Sequence, residues 1–198
     1  MTTICLVRHG ETDWNSLGKL QGREDIPLNE RGREQADLVG RFLEKEPFTA
    51  IYTSPLLRAK QTAETINRYL GGLPLNVNSD FIEKDYGEAS GMTVAERDAH
   101  FSDGKIPGME FFNQIEQRVR HGLGEIEQAH PADQVLLVAH GGLINVILSV
   151  FSHGKYGTGK TKLFNTCISH IRSNGNSWEI IDFNCIDHLN AFGKVTSI

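Results

Sequence analysis

The sequence predicts a three-layer α/β/α domain with a mostly parallel sheet and a small insertion, or cap, over one edge of that sheet. Apolar strand-like runs alternate with amphipathic helical patterns along most of the chain. The runs Thr3–Val7 and Val135–Ala139 are almost entirely apolar, as parallel strands covered on both faces are. The alternation stops at about residues 81–108, where glycines and charges predominate. We therefore expect one domain over residues 1–198, with a cap insertion at about 81–108.

The first half of the chain predicts three strands and two helices. The strands are expected at Thr3–Val7, Ala50–Thr53 and Leu75–Val77. Asn29 is placed to cap a helix that runs to about Lys45. Ser54 is expected to cap the second helix, with Pro55 at its first position and apolar residues at helical spacing after it.

The second half predicts three helices and three strands. The helices are expected near Thr93–His100, over about 112–126, and at Leu143–Phe151. The strands are expected at Val135–Ala139, Cys167–Arg172 and Trp178–Asn184. The last two should form a hairpin around Asn174 and Gly175. Phe111 and Phe112 are expected in the core, with the wall of a pocket as the alternative.

Composition excludes several classes of function. The net charge is −5 and no lysine or arginine cluster occurs, which argues against nucleic acid as a partner. The longest apolar runs are strand-sized, so we expect no membrane partner, and the N-terminus shows no secretion signal. Three cysteines without close spacing, Cys5, Cys167 and Cys185, are expected to be reduced and buried in a cytoplasmic protein.

Chemically active side chains follow the predicted strands at one edge of the sheet. Arg8 and His9 end the first strand, His140 ends the strand Val135–Ala139, and Ser54 follows another. Ligands of open α/β sheets bind beyond the carboxyl ends of the strands. Arg58 lies in the first turn of the next predicted helix, where unpaired N–H groups favour an anion. Two arginines and two histidines at one edge predict a pocket for a small, multiply charged group such as phosphate.

Several runs of the chain resemble, in the right order, the signatures of the histidine phosphatase superfamily, the phosphoglycerate-mutase-like enzymes. They are LVRHGETDWN at 6–15, LQGR at 20–23, PLNERG at 27–32, YTSPLLRA with QTA at 52–63, and VAHGG at 138–142. The match is weaker in the middle and in the last 40 residues. This resemblance implies a phosphomonoester hydrolase that forms a phosphohistidine intermediate on a small phosphorylated metabolite, with no metal and no other cofactor.

The resemblance also assigns roles to individual positions. His9 matches the nucleophile that accepts the phosphoryl group. The other corners of the catalytic pocket are matched by Arg8, Arg58 and His140. Substrate-binding positions are matched by Asn15, Gln21, Gly22 and Gly141. The family's proton donor is an acidic residue at the start of the insertion, and Glu83 fits best. Asp85 and Glu88 are rivals, and a solvated loop carboxylate is the alternative interpretation of Glu83.

A second motif favours a different class of function. The run Gly154–Thr161, GKYGTGKT, satisfies the G-x-x-x-x-G-K-S/T pattern of nucleotide-binding loops. That pattern works only between a strand and a helix. Here a predicted helix precedes it and a predicted strand follows, so a plain loop is favoured. The six remaining histidines show no metal-ligand spacing and are expected to be solvated or structural; they are His100, His121, His130, His153, His170 and His188.

The balance between phosphatase and mutase depends on the cap. Mutases of this family usually carry a longer insertion with clustered basic residues, whereas this segment has only widely spaced Lys84, Arg97 and Lys105. Hydrolysis is therefore favoured over mutase activity, and a catalytically silent phosphate binder is disfavoured because the matched catalytic positions are all filled. Gly108-Met109-Glu110 departs from the adjacent Gly-Glu that is frequent in the family. Leaving-group preference is expected to depend on cap residues such as Tyr86, Met92 and Phe101, while the sequence indicates no particular substrate or oligomeric state.

Overall fold

A six-stranded mixed sheet forms the centre of the computed structural model, which describes residues 1–191. The strands are β1 (Thr3–Arg8), β2 (Phe48–Thr53), β3 (Leu75–Val77), β4 (Gln134–Ala139), β5 (Ile168–Ser173) and β6 (Trp178–Cys185). Their order is β3-β2-β4-β1-β5-β6. The first four strands in this order pair in parallel, while β5 and β6 add an antiparallel hairpin beside β1. The predicted mostly parallel sheet is confirmed.

Helices cover both faces of the sheet, as the alternating pattern predicts. The α-helices of residues 1–191 are α1 (Asp13–Ser16), α2 (Glu30–Leu43), α3 (Leu57–Tyr69), α4 (Val94–His100), α5 (Phe112–Ala129), α6 (Gly141–Phe151) and α7 (Asp187–Ala191). Successive residues of a strand point to opposite faces. Accordingly Ile4 and Leu6 of β1 pack with α5 and α6, whereas Cys5 and Val7 pack with α2 and α3. Two apolar cores therefore sandwich the sheet and give three layers.

The register of β1 against β4 brings the two predicted histidines together. Arg8 lies opposite Ala139 across this parallel pair. The next residues, His9 and His140, therefore leave the sheet side by side at its carboxyl edge. The His9 backbone N–H donates to the Ala139 carbonyl at 3.0 Å, so the pairing extends to the strand tip. The ends of two strands that are distant in the sequence thus lie side by side, because the carboxyl ends of parallel strands meet at one edge of the sheet.

The turn after β1 lies against the start of α2, and glycine makes this approach possible. A Cβ atom on Gly32 would stand 2.0 Å from the Glu11 carbonyl oxygen, and one on Gly10 would stand 2.3 Å from the Gly32 oxygen. Asn29 caps α2 as predicted, through a 2.8 Å bond from the Gly32 N–H. Any larger residue at position 10 or 32 would push the turn that carries His9 away from the helix.

Two local predictions are wrong. The helix after β2 begins at Leu57, with Leu56 at the capping position and no side-chain cap. Ser54 therefore does not cap it; the Ser54 hydroxyl accepts the Leu56 N–H at 3.2 Å and contacts His140 instead. Phe111 and Phe112 are 67% and 42% exposed, so the prediction that they lie in the core is wrong. Apolar spacing could not separate an exposed helix start from a buried one.

The glycine- and lysine-rich run Gly154–Thr161 has the wrong neighbours for a nucleotide-binding loop. It follows α6 and leads into β5 through turns, so no helix N-terminus follows it. Its Lys160 ammonium donates to the Gly154 carbonyl within the run itself. Among residues 1–191, no helix combines the length and the apolar character that crossing a bilayer demands.

Candidate active site

A cavity of about 150 Å³ opens at the carboxyl edge of the parallel strands. It contains residues from the turn after β1, from α3, from the start of the cap and from the start of α6. Its lining residues are Arg8, His9, Asn15, Lys19, Leu20, Gln21, Gly22, Arg58, Glu83, Tyr86, Gly141 and Gly142. The cavity thus brings together eight of the nine residues that the sequence assigned to the site; the ninth, His140, lies behind the wall. Its ring centroid is 5.2 Å from that of His9.

His9 is held in one tautomer by its own turn. Its Nδ1 lies 2.7 Å from the Gly10 carbonyl oxygen, which can only accept, so Nδ1 carries the proton. Nε2 is therefore the unprotonated nitrogen of the His9 ring. Burial, and then the charges of Arg58 and Arg8, hold the pKa of His9 well below its ordinary value against the opposing bond to Gly10. The neutral imidazole required of a nucleophile is the stable form at neutral pH.

The two arginines are anchored by backbone carbonyls and not by carboxylates. Arg8 donates from Nη1 to the Leu163 carbonyl at 2.6 Å. Arg58 is fully buried and donates to the carbonyls of Glu24 at 2.7 Å and Gly22 at 2.8 Å. Burial lowers the pKa of both arginines, yet a guanidinium starts from so high a value that it stays charged. The site therefore contains two positive charges without a salt bridge among residues 1–191, and the Glu83 carboxylate lines the same cavity.

His140 is buried and oriented by a serine. Its Nε2 lies 2.7 Å from the Ser54 hydroxyl, which also accepts the Leu56 N–H. Burial, followed by the charges of Arg58, His9 and Arg8, holds the pKa of His140 well below its ordinary value. A neutral ring that accepts the Ser54 hydroxyl proton at Nε2 would carry its own N–H at Nδ1. Ser54 thus acts on the site through His140 and not through the helix that follows it.

Three buried nitrogen atoms around the cavity have no hydrogen-bond partner within residues 1–191. They are Arg8 Nε, Arg58 Nε and His140 Nδ1. Buried polar groups are nearly always paired, because each unpaired donor costs about 1–3 kcal/mol. Two unpaired arginine N–H groups beside an unpaired imidazole nitrogen therefore favour a ligand with several acceptor oxygens. A phosphoryl group has this number of equatorial oxygens and the charge that two arginines favour.

Glu83 lies on the cavity wall and is oriented by the start of α6. Its two carboxylate oxygens accept the N–H groups of Gly142 at 3.0 Å and Leu143 at 2.9 Å, together with the Lys84 N–H at 2.8 Å. Its rivals lie elsewhere. Asp85 accepts the Gly87 N–H at 2.8 Å and lies 3.8 Å from Arg23, and Glu88 is exposed. Of the three carboxylates, Glu83 is the one that the cavity contains.

The predicted substrate-binding positions line the same cavity. Asn15 Oδ1 accepts the Thr12 N–H and the Asn165 amide, each at 3.2 Å, so the amide nitrogen of Asn15 remains as its free donor. Gln21 is tied to the Thr12 hydroxyl at 2.9 Å. Gly22 adopts φ +53°, which presents its carbonyl to Arg58. Gly141 begins α6, and a Cβ there would lie 3.2 Å from Arg8 Nε.

Some residues at the site were not predicted. Lys19 lines the cavity directly before the matched run at 20–23, and Leu20, the first residue of that run, lines it without having been assigned a role. Asn165 donates to the His9 carbonyl at 3.1 Å, but no spacing pattern connects these distant residues. Among the cap residues expected to contact the leaving group, Tyr86 lines this cavity and Met92 lines a neighbouring groove. Phe101 packs instead on the His100 ring, with 4.7 Å between centroids.

One cluster outside the cavity, found among residues 1–191, has the composition of a metal site. Ligand atoms of Asp80, His121 and Glu125 all lie within 4.8 Å of one another. These groups already have partners. His121 Nδ1 lies 2.6 Å from Asp80, and Glu125 accepts the Asn78 amide at 3.1 Å. The cluster lies at the surface, and its Asp80 comes shortly before Glu83 in the chain.

Comparison with known proteins decides the family. The sequence model of the histidine phosphatase superfamily (branch 1) matches residues 4–186. The chain belongs to this superfamily. The match includes both strand tips, the cap and the start of α6, so the cavity described above coincides with the part of the chain that the family shares.

Relatives of the family carry both phosphatase and mutase names. An uncharacterized phosphatase, PhoE, of Bacillus subtilis (strain 168) is 45% identical, over 98% of this chain and 100% of its own length. In Arabidopsis thaliana, a metal-independent phosphoserine phosphatase is 33% identical over 98% of this chain and 85% of its own. Phosphoglycerate mutase-like protein 4 of that organism is 32% identical over 98% and 90%. The solved structure of Bacillus stearothermophilus YhfR superposes with a TM-score of 0.85, 28% identity, and coverage of 96% and 100%.

Proposed function

We propose that this histidine phosphatase hydrolyses small phosphomonoesters through a phosphohistidine on His9, without a metal ion. The three buried nitrogens that have no partner among residues 1–191 carry this proposal, because they belong to three neighbouring side chains, two of which line the cavity. Arg8, Arg58 and His140 supply these donors, and the amide of Asn15 and the N–H of Gly141 add to them. Preorganised donors of this kind stabilise the charge on the equatorial oxygens in the transition state.

In the first step, His9 Nε2 attacks phosphorus in line with the departing oxygen. A nitrogen–phosphorus bond forms while the bond from phosphorus to the ester oxygen breaks. Glu83 acts as the general acid and gives a proton to the leaving alkoxide. The bond from Nδ1 to the Gly10 carbonyl stabilises the positive charge that develops on the ring.

In the second step, water replaces the departed alcohol and attacks the phosphohistidine. Glu83, now ionised, takes a proton from this water as its oxygen bonds to phosphorus. The nitrogen–phosphorus bond breaks, His9 returns to its neutral form and inorganic phosphate leaves. Each proton that Glu83 gives away is therefore recovered within one turnover.

Hydrolysis is favoured over mutase activity by the composition of the cap. A mutase must retain a second anionic group of its substrate, which calls for several cations beside the first phosphate. Besides Arg8 and Arg58, the cavity wall contributes Lys19, and Lys84 stacks over the Tyr86 ring at 5.4 Å. We further propose that residues 1–198 form a single phosphoglycerate-mutase-like domain whose cap spans about 81–108. Cytoplasmic localisation is part of the same proposal.

The deciding experiment compares the natural chain with His9→Ala on a panel of phosphomonoesters. Phosphate release and mutase activity with 2- and 3-phosphoglycerate are measured side by side. We expect the natural chain to release phosphate and to form an acid-labile phosphoenzyme, and the variant to do neither. Absence of both activities in the natural chain, or an undiminished phosphoenzyme in the variant, would refute the proposal.

Glu83→Gln should slow alkyl phosphates more than aryl phosphates. An alkoxide needs a proton as it leaves, whereas a nitrophenolate does not, so loss of the acid should cost about 100-fold on the alkyl ester and far less on the aryl ester. Turnover of ethyl phosphate and para-nitrophenyl phosphate measures this ratio. Asp85→Asn and Glu88→Gln are the matched controls and should leave the ratio unchanged. Equal slowing of both esters by Glu83→Gln would contradict its role as acid.

A further inference from the structure

An ion pair that is largely shielded from solvent lies beside the segment that carries Glu83. Arg118 of α5 donates from Nε to Glu110 Oε1 at 2.8 Å and from Nη2 to Oε2 at 3.0 Å, so the pair is bidentate. The side chains are only 14% and 10% exposed. Burial acts to raise the pKa of Glu110, but the hydrogen bond and charge of Arg118 outweigh it and hold that pKa below its ordinary value. The pair is thus ionised at neutral pH.

Arg118 also binds the backbone just before Glu83. Its Nη1 donates to the carbonyl of Asp80 at 2.7 Å and to the carbonyl of Ile82 at 2.6 Å. Ile82 directly precedes Glu83 in the chain. The guanidinium therefore contacts Glu110 with two nitrogens and this turn with the third, a division of donors that only a planar fork allows.

Glu110 binds the backbone just after Glu83. Its Oε2 accepts the Asp85 N–H at 3.2 Å, and its own N–H donates to the Asp85 carbonyl at 2.9 Å. Arg23 adds a second cation 3.4 Å from Glu110. The chain is consequently fixed on both sides of Glu83, while the carboxylate itself is oriented by the N–H groups of α6.

We propose that Arg118, held by Glu110, is a positioning residue for the proton transfer that Glu83 performs. A general acid must lie within hydrogen-bond reach of the leaving oxygen, and a shift of about 1 Å can cost about 100-fold in rate. A buried ion pair adds little net stability compared with apolar packing, so its value lies in the geometry that it imposes. The inference rests on the proposed function, because it requires Glu83 to be the acid and base.

The same helix offers a matched control. Arg120 pairs with Glu116 at 2.8 Å, one turn apart on α5, but their side chains are 53% and 32% exposed. Among residues 1–191 no hydrogen bond joins Arg120 to the segment around Glu83. Removing Arg120 deletes an arginine–glutamate pair from α5 without touching that segment. Any effect specific to Arg118 is then separated from a general effect on the helix.

The test compares Arg118→Met, Arg118→Lys and Arg120→Met on ethyl phosphate and para-nitrophenyl phosphate. We expect Arg118→Met to slow the alkyl ester about tenfold more than the aryl ester. Arg118→Lys should show a smaller effect in the same direction, because an ammonium keeps the charge but cannot span both carbonyls and Glu110. Arg120→Met should leave the ratio of the two rates unchanged. Equal slowing of both esters by either Arg118 variant would overturn the proposal, and if Arg118→Met does not fold, Arg118→Lys decides alone.

A double-mutant cycle with Glu83→Gln separates this inference from the proposed function. If Arg118 acts through Glu83, adding Arg118→Met to Glu83→Gln should change the ratio of alkyl to aryl turnover no further. Additive changes in that ratio would overturn the inference. If Glu83→Gln alone leaves the ratio unchanged, both the acid role and this inference fail. If Glu83→Gln changes the ratio and neither Arg118 variant does, only the inference fails.

Discussion

The side chains of the site are prepared for an anion before one binds. His9 and His140 are neutral because burial and the neighbouring arginines oppose a further positive charge. The guanidinium groups of Arg8 and Arg58 each donate to backbone carbonyls, and their Nε atoms have no hydrogen-bond partner among residues 1–191. Unpaired buried donors lower the stability of a folded protein, and hydrogen bonds to a bound oxyanion would offset this loss of free energy.

The two site histidines should remain neutral in mildly acidic solution. Their pKa values lie well below 6.5, whereas the hydrogen bond and charge of Asp80 raise the pKa of exposed His121 above it. Histidine ring chemical shifts followed by NMR from about pH 7.5 to about pH 5.5 test this difference. The His121 ring should titrate in this range while the rings of His9 and His140 do not. A midpoint near 6.5 for His9 would contradict the electrostatic account of its nucleophilicity.

At the scale of elements, the start of α6 organises the site. His140 precedes the helix, and the Gly142 and Leu143 N–H groups bind the Glu83 carboxylate. Unpaired N–H groups at a helix start carry partial positive charge and suit an acceptor of this kind. One strand-to-helix junction therefore supplies the buried His140 ring and orients the Glu83 carboxylate.

Gly142→Ala should impair proton transfer without unfolding the protein. A Cβ at this position would stand 2.6 Å from Glu83 Oε1, so the carboxylate must move. We expect alkyl phosphate turnover to fall about tenfold or more, and aryl phosphate turnover to fall less.

The control for Gly142→Ala is Gly124→Ala in α5. Apart from the neighbouring backbone of α5, no atom of residues 1–191 lies within 4 Å of a Cβ at Gly124. Alanine in a helix interior is about 1 kcal/mol more stable than glycine. Gly124→Ala should therefore raise the free energy of unfolding in urea and leave turnover of both esters unchanged. Equal rates for Gly142→Ala and the natural chain would show that Glu83 has room to shift.

On the scale of the whole molecule, a C-terminal helix is connected to the catalytic edge through the core. His188 of α7 is fully buried, and its Nε2 lies 3.2 Å from the Thr166 hydroxyl. Thr166 adopts φ +55°, and its N–H donates to the Arg8 carbonyl at 3.1 Å. On its other side the His188 ring packs against Phe42 of α2, with 5.7 Å between centroids. α7 thereby packs against α2, next to the loop residue Thr166 that binds the end of β1.

His188 should make the fold less stable in acid. Burial lowers the pKa of His188 from 6.5 to about 4, against the opposing charge of Asp187, so the unfolded chain binds a proton more readily between these values. Stability is therefore fully present above about pH 6.5 and declines towards pH 4, by about 3 kcal/mol for this one group.

Urea unfolding of His188→Gln across this pH range checks that contribution. The variant should show a shallower dependence of the unfolding free energy on pH, whatever its absolute stability. His100→Gln, which changes an exposed histidine, serves as the control and should follow the natural chain. An unchanged slope in His188→Gln would show that the buried ring has no part in the acid response.

The sequence predicted the elements better than their exact starts. The predicted strands and helices agree with the structure because apolar periodicity follows directly from which face of an element is buried. The Asn29 cap was also predictable, because it depends only on residues of its own turn. The start of α3 was misplaced because Ser54 bonds to His140, a partner contributed by a strand far along the chain. The exposure of Phe111 and Phe112 was missed for the related reason that apolar residues are also found on surfaces.

The sequence by itself determined the α/β architecture, the family and the residues expected at the site, since these depend on periodicity and on local motifs. Tertiary structure alone decided which carboxylate reaches the cavity, which nitrogen of His9 is free, and that Arg118 and Glu110 fix the chain on both sides of Glu83. Hydrogen-bond partners, burial and the pKa shifts that follow from them are set by residues distant in the chain. Such contacts exist only once parallel β1 and β4 have brought both halves of the site to one edge.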